Sequence, residues 1–95
     1  MAQARGYTAT KEQLRDRLAR IEGQVRGVAR MVDEDRYCID VLTQISAIQA
    51  ALDRVGLGLL DDHVRHCLVG GHGGPAEPEE QVHEVMGAVG RMLSR

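Results

Sequence analysis

Two cysteines and one histidine are the residues of this chain best suited to chemistry: Cys38, His63 and Cys67. His63 and Cys67 stand four positions apart, and on a helix the side chains at i and i+4 project from one face, within reach of a single ion. A thiolate and an imidazole so placed make half of a metal site. Cys38 would complete it, because two thiolates with one imidazole form a soft, low-coordinate donor set that suits Cu(I), whereas structural Zn(II) ordinarily takes four ligands in a tetrahedron. His66, His72, His83 or Glu84 could add a fourth ligand and move the preference toward Zn(II), Co(II) or Ni(II), although a plain surface position is the commoner fate of such histidines. Ligands must lose their protons to bind, so metal uptake should release thiol protons and weaken in acid.

The obstacle is distance. Cys38 precedes His63 by 25 positions, which along a straight helix is roughly 37 Å. One chain can bring them together only through a sharp break, and Gly56-Leu57-Gly58 is where the helix could bend. Two copies packed antiparallel could instead set Cys38 of one against His63 and Cys67 of the other, giving two equivalent sites per dimer.

The elements that must hold these residues are helices. Thr10 followed by Gln13 is a capping-box signature, and Leu14, Leu18, Ile21, Val25, Val28 and Val32 then recur at steps of three and four, predicting a first helix over about 11–32. Gly23 and Gly27 inside it point to close helix contact, since each costs roughly 1 kcal/mol relative to Ala. An acidic break follows at Asp33-Glu34-Asp35. Ile39, Leu42, Ile45, Ile48, Leu52, Val55 and Leu59, widened by Val41, Ala51, Leu60, Val64 and Leu68, predict a second helix over about 37–69 with two faces to bury. Gly70-Gly71-His72-Gly73-Gly74-Pro75 reads as a flexible linker. Pro78 with Glu79 and Glu80 starts a third helix over about 78–93, whose stripe is Val82, Val85, Met86, Val89, Met92 and Leu93. No strand pattern or repeat is visible, so the fold class is all-α, a single domain over 1–95 with a flexible segment at 1–9. The second helix has more apolar surface than the first can cover, and the antiparallel pairing that completes the ligand set also buries its second face.

Size and composition agree with a subunit of an assembly. Ninety-five residues with no Trp, no Phe and two Tyr give a thin core, and two cysteines cannot build a disulfide scaffold. No secretory leader pattern and no run near the ~18 apolar residues of a membrane span is present, so the expected location is the cytoplasm. Net charge is −2, but residues 1–32 carry seven basic against three acidic side chains and the remainder is acidic. The basic segment could face phosphate. The plainer reading is a solvated face in which those arginines pair with Glu12, Asp16 and Glu22. No nucleophile with an orienting base and no phosphate loop is present, which argues against an enzyme.

RLARIEGQVRGVARMVDEDRYCIDVLTQISAIQAAL, then LLDDHVRHC, then EEQVHEVMGAVGRML resemble the copper-sensitive operon repressor family, all-helical bacterial repressors, over about residues 10–94. The resemblance implies that Cys38, His63 and Cys67 are Cu(I) ligands, one ion per protomer, with Cys38 contributed across a dimer interface. It implies further that Tyr37 and Glu84 form a surrounding layer in which Glu84 hydrogen-bonds the free nitrogen of the metal-bound His63. It implies an antiparallel four-helix-bundle dimer, a dimer of dimers that holds operator DNA without a helix-turn-helix or zinc finger, and a role for Arg17 and Arg54 in the DNA contact. Arg15, Arg20 and Lys11 are weaker phosphate-contact candidates, since surface cations position a protein on DNA more often than they read bases. The implied activity is repression relieved by Cu(I), with no membrane and no small-molecule substrate. Relatives that sense aldehydes or persulfides lack one of the three ligands that this chain keeps. Two rival readings are a sulfur or oxidant sensor joining Cys38 and Cys67, and, from another class, a copper buffer or chaperone that never touches DNA.

Overall fold

A computed structural model describes residues 10–69 and 77–94, with the backbone alone for 67–69. The expected flexible N-terminus at 1–9 and the linker at 70–75 lie outside the described residues. The described chain is helical, in the order α1 (Lys11–Asp33), α2 (Cys38–His63), a π-helical segment Val64–Val69, and α3 (Pro78–Leu93). No strand occurs among the described residues. The chain divides into two compact units, one formed by Glu12–Val55 and the other including described residues 10–11, 56–69 and 77–94.

The unit Glu12–Val55 is a helical hairpin of α1 and most of α2. Its core is a cluster of Leu14, Ile21, Ile48 and Val55, with Val28 and Ala51 packed against it. Leu14, Ile21 and Val28 recur every seven residues, as do Ile48 and Val55, so the seam is one narrow stripe per helix. The rest of each apolar face stays open: Leu18, Val25 and Val32 on α1 and Leu42, Ile45 and Leu52 on α2 are all exposed. The close helix contact expected at Gly23 and Gly27 is not made among the described residues of the protomer, for a Cβ at either position would meet nothing within 4 Å.

The hairpin turns through a helix-ending motif. Asp35 takes a left-handed conformation at φ 55°. The Arg36 amide donates to the Met31 carbonyl at 3.0 Å and the Asp35 amide to that of Val32 at 3.1 Å. This pair of bonds satisfies carbonyls left over at the end of α1, and the left-handed residue usually belongs to Gly, with short polar side chains tolerated. The Tyr37 carbonyl then accepts from the amides of Asp40 and Val41, which opens α2 at Cys38.

In the second unit α2 keeps α-helical geometry through Gly56 and Gly58, so the helix is not broken there. A Cβ on Gly56 would sit 3.0 Å from Met92 Cε, so the missing side chain admits α3 at close range. α3 begins as its sequence dictates: Glu77 is the cap residue, Pro78 occupies the first turn, Glu79 and Glu80 face the positive helix end, and Arg91 complements the other end. The second helix was expected to stay α-helical to about 69. Instead it changes to π geometry after His63, where hydrogen bonds reach five residues back and the turn widens. Thr10 Oγ1 donates to Asp62 Oδ2 at 2.6 Å just before that change. Among the described residues no helix is long and apolar enough to cross a membrane.

The left-handed turn makes a direct prediction. Asp35→Val should lower stability by about 1–2 kcal/mol, because a β-branched residue is strained at positive φ, while Asp35→Gly should match or exceed the wild type. Urea denaturation of the three proteins at one fixed protein concentration checks this, and equal midpoints would contradict it.

Candidate metal centre and arginine groove

Cys38, the first residue of α2, carries an exposed free thiol. It borders an open hollow of about 440 Å³ with Val32, Asp35, Arg36, Val41 and Leu42. The neighbouring Tyr37 side chain is 66% exposed. The Tyr37 carbonyl fixes the start of α2, so Tyr37 already has one structural task at the N-terminal end of the helix that carries Cys38.

At the other end of α2, His63 closes the α-helical stretch and Cys67 falls inside the π segment. The side chain of Cys67 lies outside the described residues. His63 is half-buried in a hollow of about 250 Å³, where Gly56, Leu59 and Leu60 from α2 face Val85, Ala88 and Met92 from α3. Glu84 projects into the same hollow and its Oε1 lies 3.6 Å from His63 Nε2. That is ion-pair range for a protonated imidazole and just outside hydrogen-bond range for a neutral one. Nε2 faces Glu84, so Nδ1 is the nitrogen left for another partner. The structure thus brings Glu84 close to His63.

Within one chain, no group of three or more His, Cys, Asp or Glu side chains able to hold a metal occurs among the described residues. His66 is exposed on the π segment. His83 lies on α3 with Glu79, Glu80 and Glu84 around a shallow, open depression. His72 lies outside the described residues.

The basic residues sort themselves on the unit Glu12–Val55. Arg17, Arg20 and Gln24, spaced three and four apart on α1, line one groove of about 300 Å³ with Ile21, and Ala51 and Arg54 of α2 close its other wall. Among the described residues none of these three arginines forms an ion pair; the pair made by α1 is Arg26 with Glu22, at 2.6 Å on the surface. Among the described residues the expected pairing of the arginines with Glu12 and Asp16 is not made, and three guanidinium groups share one concavity. Arg15 and Lys11 are exposed on α1 and outside this groove. Sequence reasoning missed Gln24 as a wall of the groove, although its position four after Arg20 and seven after Arg17 placed it on the same face. It also missed the bond from Thr10 to Asp62, for which a single sequence holds no signal.

Helices that carry a thiol at the start of α2, an imidazole near a carboxylate at its end, and a basic groove on the hairpin are parts that suit a metal-responsive nucleic-acid regulator. The metal-sensitive transcriptional repressor family matches residues 10–91, and the chain belongs to that family. Its members are repressors of transcription, acting on DNA, and not enzymes. Over 95 residues, 98% of each chain, it is 50% identical to the copper-sensing transcriptional repressor RicR of Mycobacterium tuberculosis. Its fold is similar to that of the Cu(I)-bound copper-sensing repressor CsoR of Geobacillus thermodenitrificans, with TM-score 0.76 and 43% identity over 90% of this chain and 88% of that one. It is also similar to the nickel-responsive transcriptional regulator InrS, with TM-score 0.70 and 40% identity over 85% of this chain and 90% of that one.

Proposed function

We propose that this protein is a Cu(I)-responsive repressor that holds operator DNA in the metal-free state and releases it when Cu(I) binds Cys38 of one protomer with His63 and Cys67 of the partner subunit. The observation that carries this reading is the continuity of α2 from Cys38 to His63. An unbroken helix of this length keeps its two ends tens of ångströms apart, so a three-ligand site needs a second chain. The exposed apolar faces on α1 and α2 give that chain a surface to cover. An antiparallel dimer, doubled into a tetramer, satisfies both needs. Each chain then acts as one 95-residue sensing domain in the cytoplasm, where its DNA is.

Similarity extends both to copper sensors and to a nickel-responsive regulator, so the fold alone does not choose the metal. The donor set does. Two thiolates and an imidazole favour Cu(I), whereas Ni(II) prefers nitrogen and oxygen donors in tetragonal geometry. With Nε2 of His63 facing Glu84, Nδ1 is left for the metal. Metal capture would then fix the imidazole, and closing the 3.6 Å to Glu84 would draw on α3. Arg17, Arg20 and Arg54 hold DNA phosphates, with Arg15 and Lys11 adding long-range attraction. Coupling is reciprocal: if copper lowers DNA affinity, DNA lowers copper affinity by the same factor.

The test is an anaerobic titration of the reduced protein, bound to its own upstream promoter DNA, with Cu(I), read by fluorescence anisotropy. Release is expected near one copper per protomer and should be abolished by Cys38→Ala. If Ni(II) or a persulfide donor releases DNA where copper does not, copper is the wrong inducer. For the groove, Arg17→Ala and Arg54→Ala should each weaken DNA binding across sequences and reduce the slope of log affinity against log salt by about one. An unchanged slope would place the DNA elsewhere.

A further inference from the structure

Thr10 Oγ1 donates to Asp62 Oδ2 at 2.6 Å across 52 positions of sequence in a partly buried setting, whereas the bonds of Arg26 to Glu22, Thr43 to Ile39 and Arg65 to Asp61 join positions four apart. A hydroxyl bonded to a carboxylate is a charge-assisted pair, shorter and stronger than a neutral one. Its place in the chain is specific. Asp62 immediately precedes His63 and stands at the end of the α-helical stretch, where π geometry begins. Asp61 reaches across the same junction and accepts from Arg65 Nε at 3.0 Å. Two adjacent aspartates therefore restrain this turn, one toward the π segment and one toward the start of α1. π-helical turns are uncommon, occur frequently at functional sites, and persist where their surroundings hold them.

We propose that Thr10 is a positioning residue of the sensor. Its hydroxyl anchors Asp62, fixing the turn from which His63 is presented and holding the Val64–Val69 segment in its π form. The same bond ties that segment to Lys11, the first residue of α1. A rearrangement of 63–69 on metal capture must then either pull on the start of α1 or break the strap. The last step rests on the copper-repressor reading given above; the anchoring of the π segment does not.

The experiment uses full-length Thr10→Val, which keeps the shape and removes the hydroxyl, and Thr10→Ser, which restores it. In the metal-free proteins, amide hydrogen exchange over 62–69 should be about tenfold faster in Thr10→Val than in wild type, with the core of α1 unchanged, and Thr10→Ser should return to the wild-type rate. Asp62→Ala removes the same bond from its other end and should give the same local acceleration, which keeps the test open if Thr10→Val does not fold. In copper titrations Thr10→Val should keep one Cu(I) per protomer while its copper-induced loss of DNA affinity shrinks by about tenfold, again restored by Ser. Exchange that is unchanged at 62–69, or accelerated equally throughout the chain, would overturn the proposal, as would identical behaviour of the Val and Ser variants. If wild-type DNA binding ignores copper, the functional reading fails while the metal-free exchange data still decide the strap.

Discussion

Helical rise is the constraint on which the rest of this structure depends. Each residue of an α-helix advances the chain by about 1.5 Å, and α2 keeps α-helical geometry for 26 residues. A thiol at its first position and an imidazole at its last cannot approach one another unless the helix folds back, and the two glycines that might have allowed this are helical. One of them serves instead as a notch for Met92. The same length leaves α2 with more apolar surface than α1 covers. Four side chains are buried in the hairpin, while other large aliphatic side chains on both helices face outward. Ligand separation and unburied surface are two consequences of one long rod, and the proposed second copy of the chain would relieve both.

On the proposed reading, sensing and DNA contact fall on different parts of the molecule. The arginine groove belongs to the hairpin of α1 and α2, where among the described residues no ion pair is made by Arg17, Arg20 or Arg54. The His63 hollow belongs to the later part of α2 and α3. Regulation of one by the other needs a conformational element with more than one stable form. On the proposed reading the π segment supplies such an element, because it follows His63 directly, contains Cys67 and departs from the regular helix that precedes it.

Much of this was legible in the residues. Steps of three and four in the apolar residues placed three helices. The acidic break at Asp33-Glu34-Asp35 and the proline with following glutamates at Pro78 set boundaries within a residue or so of those observed. His63 and Glu84 were paired in advance by family resemblance, and the structure sets them in one hollow. Other features escaped for physical reasons. A π turn has no composition of its own, so Val64–Val69 read as more α-helix. Gly23 and Gly27 signalled close packing, but a single sequence does not distinguish contact within a protomer from open surface. Pairing of α1 arginines with nearby acids held for Arg26 and Glu22 alone, because i,i+4 spacing permits an exposed pair without requiring it. The bond from Thr10 to Asp62 joins residues far apart in sequence, and only the folded chain discloses it.

The central claim, that the metal site is completed by two chains, is tested most directly by subunit complementation. Cys38→Ala and Cys67→Ala proteins are each unable to bind Cu(I) tightly on this account. Unfolded, mixed in equal amounts and refolded together, they form mixed dimers in which an intact Cys38 of one chain faces an intact His63 and Cys67 of the other. Tight Cu(I) uptake should then return to about a quarter of the wild-type level, from one good site in each mixed dimer of a random population. If the mixture binds no more copper than the separate mutants, although subunit exchange is demonstrated, the ligands come from a single chain and the account is wrong.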